Sequence, residues 1–166
     1  MTVSDRAGLA DTREPRLSAL SIARAYASRF RSDPKAPPRV LIVDDEEPVR
    51  RFVERVLQEA GYETSVASDG AEAMEVAAKL GGIDLLVTDV MMPNMLGDEL
   101  ARRLRQSEPD LKVLYITGYC DRLFKEKITL WEAEAFLEKP CTVAGLREAV
   151  SLLLYGRVDG EPPTTA

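Results

Sequence analysis

Histidine is absent from the 166 residues, and cysteine occurs twice, at Cys120 and Cys141, without CxxC spacing. Zinc and haem therefore lack their usual ligands. Any mechanism with histidine as base, the catalytic triads included, is excluded. No apolar stretch approaches the roughly eighteen residues of a membrane span, and no signal peptide opens the chain. A cytoplasmic protein with reduced thiols and no transmembrane segment is expected. Basic charge is scarce where nucleic-acid binding would need it. The net charge is -6, yet residues 1–39 hold eight Lys/Arg and four Asp/Glu, net +4, so the remainder carries -10. An acidic body lacks the footprint for general nucleic-acid binding, and no DNA-binding domain is expected.

What is present divides into three. Residues 1–38 read as an extension, 39–155 as one domain, and 156–166 as a loose Pro-, Gly- and Thr-containing tail after Tyr155. Within the extension, Ala19, Leu20, Ile22, Ala23, Tyr26, Ala27 and Phe30 project to one side at helical spacing, with Ser18, Ser21, Arg24, Ser28 and Arg31 opposite. The spacing predicts an amphipathic helix over about 16–31. Asp33-Pro34 and Pro37-Pro38 end it in a stiff linker. Such a helix suits a partner, a dimer or a membrane surface, or folds back on its own domain.

The domain alternates short apolar runs with helical patterns. Strands are predicted at Val40–Val43, Glu63–Ala67, from Leu85 to the carboxylate Asp89, at Val113–Thr117 and at Ala135–Glu138. Helices are predicted at Pro48–Glu59, Ala71–Leu80, Gly97–Gln106, within 121–130, and at Val143–Leu154. Five βα units make a doubly wound parallel sheet with helices on both faces. The run at Leu85 is the most apolar, and it delivers Asp89 to a strand's carboxyl end, the edge where open α/β sheets bind ligands.

Other strands deliver chemistry to the same edge. The first ends in Asp44-Asp45-Glu46-Glu47, the fourth in Thr117-Gly118, the fifth in Glu138-Lys139-Pro140. Carboxylates that converge repel unless a cation is present, and oxygen-only ligands favour a hard divalent ion such as Mg²⁺. With a metal neutralising an incoming phosphoryl group, a carboxylate can act as nucleophile, while lysine and threonine bind phosphoryl oxygens. Taken singly, an Asp pair is a helix cap and a Lys-Pro is a loop. Their joint placement at successive strand ends points to phosphoryl transfer.

On these residues the stretch Val40–Leu154 resembles a response-regulator receiver domain, the phosphoacceptor module of two-component signalling: Asp44-Asp45, Asp89 with Met92-Pro93, Thr117-Gly118 and Lys139-Pro140. The resemblance implies the flavodoxin-like strand order 2-1-3-4-5. It implies that Asp89 accepts the phosphoryl group from a phosphohistidine of a histidine kinase or histidine phosphotransferase. Asp45, Asp89 and the backbone carbonyl of Met91 would bind Mg²⁺, with Asp44 acting through water. Lys139 would pair with phosphate and Asp89, before a cis bond to Pro140. Thr117 and the switch aromatic Phe136 would bias the face of the fourth helix, fifth strand and fifth helix toward a downstream protein or a homodimer.

Met91 and Tyr119, two residues after Asp89 and Thr117, occupy positions where the family tunes attack of water on the acyl phosphate. Neither orients water as an amide or carboxylate would, so a long-lived phosphorylated form is expected. A flavodoxin would need a Ser/Thr/Gly phosphate loop where this chain has four acids. A haloacid-dehalogenase-type phosphatase would need a second Asp at the position of Met91. Because only twelve residues follow Leu154, a stand-alone regulator acting by protein contact is expected first. The alternatives are a phosphorelay or hybrid-kinase-type receiver, and an adaptor whose N-terminal helix is the output element.

Overall fold

The structure is a computed structural model that describes residues 36–118 and 133–156. In chain order these form β1 (Arg39–Val43), α1 (Glu47–Glu59), β2 (Glu63–Ala67), α2 (Gly70–Leu80), β3 (Leu85–Asp89), α3 (Gly97–Leu104), β4 (Lys112–Thr117), β5 (Glu134–Glu138) and α4 (Val143–Tyr155). The helices predicted over 16–31 and within 121–130, Tyr119, Cys120 and the tail after Gly156 lie outside the described residues.

The five strands are parallel in the order β2-β1-β3-β4-β5. This is the doubly wound arrangement expected from the alternating pattern. Period-2 alternation splits the buried residues between two layers. Leu41, Val43, Leu86, Val113 and Tyr115 face Ala73 of α2 and Leu100, Ala101 and Leu104 of α3. Val40, Ile42, Leu85, Val87, Leu114 and Ile116 face Val53, Val56 and Leu57 of α1 and Leu146 and Val150 of α4. All five residues of β3 are buried, as a strand covered on both faces requires.

Local chemistry sets the helix ends. Asp69 caps α2 by accepting from the Glu72 amide at 2.8 Å, while the Glu72 carboxylate accepts from the amide of Ser68, the residue before the cap, at 2.7 Å. Thr142 caps α4 by accepting from the Gly145 amide. Helix α1 starts at Glu47 with Pro48 in its first turn, where a missing N–H costs nothing. Helix α3 ends at Leu104, two residues before the predicted Gln106. There the Ser107 and Glu108 amides both turn back to the Leu104 carbonyl, and Arg105 is drawn toward Leu111 and Glu134.

Candidate functional site

Register fixes the site. Val43 pairs with Thr88, Asp89 with Ile116 and Thr117 with Glu138, so the residues that follow β1, β3, β4 and β5 emerge at one edge. Asp89 ends β3 at 6% exposure. One of its carboxylate oxygens accepts from the Met91 amide at 3.0 Å, and the other from Lys139 Nζ at 2.6 Å. The Lys139 amide is anchored on the Thr117 carbonyl at 2.7 Å, which ties the ends of β4 and β5 together. The Lys139–Pro140 bond is cis.

Asp44 lies on the far side of the lysine, 2% exposed, with Oδ2 at 3.0 Å from Nζ. Its Oδ1 accepts from the Glu46 amide at 2.8 Å, and its backbone carbonyl accepts from Arg50 at 2.6 Å. Burial pushes the Asp44 carboxyl above the ordinary carboxylate range, opposed by the Glu46 amide and by Lys139. Burial pulls the Lys139 ammonium down, but Asp89, Asp44 and Glu46 outweigh it, and the net direction is up. Lys139 is therefore a fixed cation.

Glu46 is the member that strand-end reasoning did not single out. Its Oε1 lies 3.1 Å from Nζ, and carboxylate oxygens of Asp44, Glu46 and Asp89 all lie within 4.8 Å of one another. Asp45, by contrast, is exposed and stands outside this group. Three carboxylates crowd one ammonium, which leaves an excess of negative charge, and among the described residues the buried Asp44 Oδ2 has that ammonium alone for a partner. Both features fit a hard divalent cation with oxygen ligands.

Thr117 is fully buried, and among the described residues its Oγ1 has no hydrogen-bond partner. A hydroxyl left so at the end of β4 is a donor without an acceptor. Phe136 is half-buried and stacks on Tyr115, ring centroids 5.1 Å apart at 28°. The Met91 side chain is half exposed, and no ligand role for its carbonyl is visible. Gly97 explains why α3 can start so close to β3: a Cβ there would stand 2.1 Å from the Asp89 carbonyl oxygen. The sequence marks Gly97 as a helix start and carries no sign of that approach. Beside the site, Pro48, Val49, Phe52, Pro140 and Cys141 border an apolar groove of about 450 Å³ with Lys139 on one wall. Burial raises the Cys141 thiol, which keeps it protonated.

A family model for the response regulator receiver domain matches residues 40–151. The sensor kinase CckA of Brucella abortus (strain 2308) is 39% identical over 116 residues, which are 69% of this chain and 12% of the kinase. The response regulator receiver protein CpdR of the same organism is 42% identical over 81 residues, 49% of this chain and 67% of that protein. Among solved structures, the Vibrio cholerae chemotaxis protein CheY4 superposes with a TM-score of 0.65 at 32% identity, covering 72% of this chain and 100% of CheY4. The chain thus spans a small part of the first of these relatives and about two thirds of the second. Among the described residues no helix is long and apolar enough to cross a membrane. The chain belongs to the response regulator receiver domain family of two-component signalling, whose members partner with histidine kinases.

Proposed function

We propose that Asp89 accepts a phosphoryl group from a phosphohistidine and that the chain signals through protein contacts that depend on it. The observation that carries this reading is the Lys139 ammonium held 2.6 Å from an Asp89 carboxylate oxygen at the carboxyl edge of the sheet, with the Thr117 hydroxyl, buried and without a hydrogen-bond partner among the described residues, on the adjacent strand. The other Asp89 oxygen is held by the Met91 amide, which orients the carboxylate. In the step, a carboxylate oxygen attacks phosphorus, a P–O bond forms and the P–N bond to the donor imidazole breaks. The electron pair of that bond returns to the ring nitrogen. Lys139 exchanges part of its carboxylate pairing for a phosphoryl oxygen, and Thr117 donates to another.

Asp44, Glu46 and Asp89 would hold Mg²⁺, with the exposed Asp45 and the Met91 carbonyl at the same strand ends as further oxygen donors. When bound, the ion supplies the positive charge that lets an anionic phosphoryl group approach these carboxylates. The apolar groove beside Lys139 offers the donor's histidine-bearing surface a place to dock. Withdrawal of Thr117 toward the phosphoryl group frees space for Phe136, which shifts the surface of β5 and α4 that meets a target. Met91 provides no water-orienting group, so the acyl phosphate is long-lived.

A second reading, a receiver that relays the phosphoryl group to a histidine phosphotransferase, draws support from the 39% identity to a sensor kinase. The deciding experiment exposes wild type and Asp89→Asn to acetyl phosphate with Mg²⁺ and follows intact mass. One phosphoryl group is expected on the wild type and none on the variant; equal labelling would show the nucleophile to be misassigned. Adding a purified histidine phosphotransferase separates the two readings, since a relay transfers the label and a terminal regulator keeps it.

A further inference from the structure

We infer that Glu46 is a gate on Lys139: its carboxylate occupies the part of the ammonium that a phosphoryl oxygen needs, and transfer to Asp89 waits for it to leave. The inference rests on the phosphoacceptor role proposed above for Asp89 and adds which contact is exchanged.

An ammonium carries three N–H groups. Among the described residues three carboxylates crowd that of Lys139: Asp89 at 2.6 Å, Asp44 at 3.0 Å and Glu46 at 3.1 Å. Three donors meet three anions, so a phosphoryl oxygen reaches Lys139 only by displacing one of them. Two are fixed. The Asp89 and Asp44 side chains are 8% and 3% exposed, and the second oxygen of each is held by an amide, that of Met91 for Asp89 and that of Glu46 for Asp44. The Glu46 side chain is 61% exposed and makes the longest of the three contacts. An ion pair so open to water on one side is weak, and it is the one that yields.

The backbone and side chain of Glu46 have separate tasks. Its amide donates to Asp44 Oδ1 at 2.8 Å and its carbonyl accepts from the amides of Val49 and Arg50 at 3.1 Å, so the main chain stays in place when the side chain swings. An acid at the N-cap of α1 would ordinarily turn its carboxylate onto the first amides of the helix, yet Glu46 makes no such bond. Its carboxylate crosses the carboxyl edge to Lys139 instead, and the two side chains border the apolar groove together with Pro48, Phe52 and Pro140. A cap is given up for a contact on the lysine. On release, Glu46 turns to solvent or to a divalent ion, and Lys139 keeps Asp44 and Asp89 while its third N–H turns to the phosphoryl oxygen.

The test follows the rate of labelling by acetyl phosphate at saturating Mg²⁺, read as intact mass, for wild type, Glu46→Gln, Glu46→Asp and Glu47→Gln. Glu46→Gln leaves a neutral acceptor, and Glu46→Asp keeps the charge on a side chain one methylene too short to reach Nζ. Both are expected to label about two- to fivefold faster than wild type, the change that loss of one exposed ion pair allows. Glu47→Gln removes the same charge from a neighbour that pairs with Arg51, and it should label at the wild-type rate. A second readout needs neither metal nor phosphodonor. In EDTA, the Lys139 Nζ–H signal in nitrogen-15 spectra should broaden or vanish in Glu46→Asp, because protons released from the carboxylate exchange faster with water.

Three outcomes overturn the proposal. Slower labelling of both position-46 variants would make Glu46 a metal ligand only; faster labelling of both Gln variants but not of Glu46→Asp would reduce the effect to net charge; wild-type rates with an unchanged Lys139 signal would leave the contact without a role. Failure of the phosphoacceptor reading shows itself separately, as no label on the wild type or a label retained by Asp89→Asn, and it takes the gate with it.

Discussion

Strand β5 carries an ion cluster at each end, and the two are built on opposite principles. At its start, Glu134 with a nearly buried carboxylate pairs with Arg105, whose Nε and Nη2 also donate to the Leu111 carbonyl at 3.2 and 3.1 Å. Among the described residues this cation meets one anion, and three of its five N–H groups are satisfied. Just past its end, Lys139 faces Asp44, Glu46 and Asp89 within 3.1 Å, and among the described residues the buried Thr117 hydroxyl has no hydrogen-bond partner. A balanced pair holds structure together; an overloaded one stores repulsion that a ligand relieves. Charge stoichiometry, more than burial or ion-pair distance, separates the two.

The comparison breaks if removing a carboxylate has the same sign of effect at both ends. Glu134→Ala leaves the Arg105 charge partly buried with no counter-ion, and urea unfolding should show a loss of about 2–3 kcal/mol. Labelling of Asp89 by acetyl phosphate should be unaffected in the folded fraction. Asp44→Asn should do the reverse. With EDTA present, the variant is expected to be more stable than wild type by about 1 kcal/mol, because one of three repelling carboxylates is gone while Lys139 keeps two partners. With excess Mg²⁺ the wild type should gain a stabilisation by ligand linkage that the variant lacks, and melting temperatures in the two buffers measure both effects. A destabilised Asp44→Asn in EDTA would mean that the site is an ordinary ion pair.

Most of this arrangement was legible in the chain itself. The β3 run could be read because a strand buried on both faces has no polar residue to blur it, and Asp44, Asp89, Thr117 and Lys139 because strand ends in a parallel sheet share an edge. Glu46 was not legible. It occupies the N-cap position of α1, where an acid is unremarkable, yet its side chain makes no cap bond and reaches Lys139 ninety-three residues away. Asp45 illustrates the converse, since adjacent acids look equivalent until the backbone turns one inward and the next to solvent. Arg105 reads with Arg102 and Arg103 as part of a basic helix surface, but the helix stops at Leu104 and redirects it to Glu134. Ala133 adopts a positive φ of 73° at the entry to β5, a conformation that the side-chain chemistry of alanine gives no means of anticipating.

The smallest expected effect concerns the link between the balanced pair and Phe136. Tyr115 stacks on Phe136, and its hydroxyl stands 3.5 Å from the Glu134 carboxylate, at the outer limit of a hydrogen bond. Burial, with the Glu134 charge next, pushes its phenol well above the ordinary 10.0. The folded state therefore holds this proton more tightly than the unfolded chain. The contribution is fully present below the unfolded value and is lost as pH rises from 10.0 toward the folded value. Tyr115→Phe removes that titration and a weak bond, while keeping the ring stack. At neutral pH urea midpoints of variant and wild type should agree within a few tenths of a kcal/mol. At about pH 11 the wild type should have lost the more stability of the two. Equal losses would mean that the Tyr115 hydroxyl is solvated rather than held against Glu134, and that Phe136 packs free of the Arg105 pair.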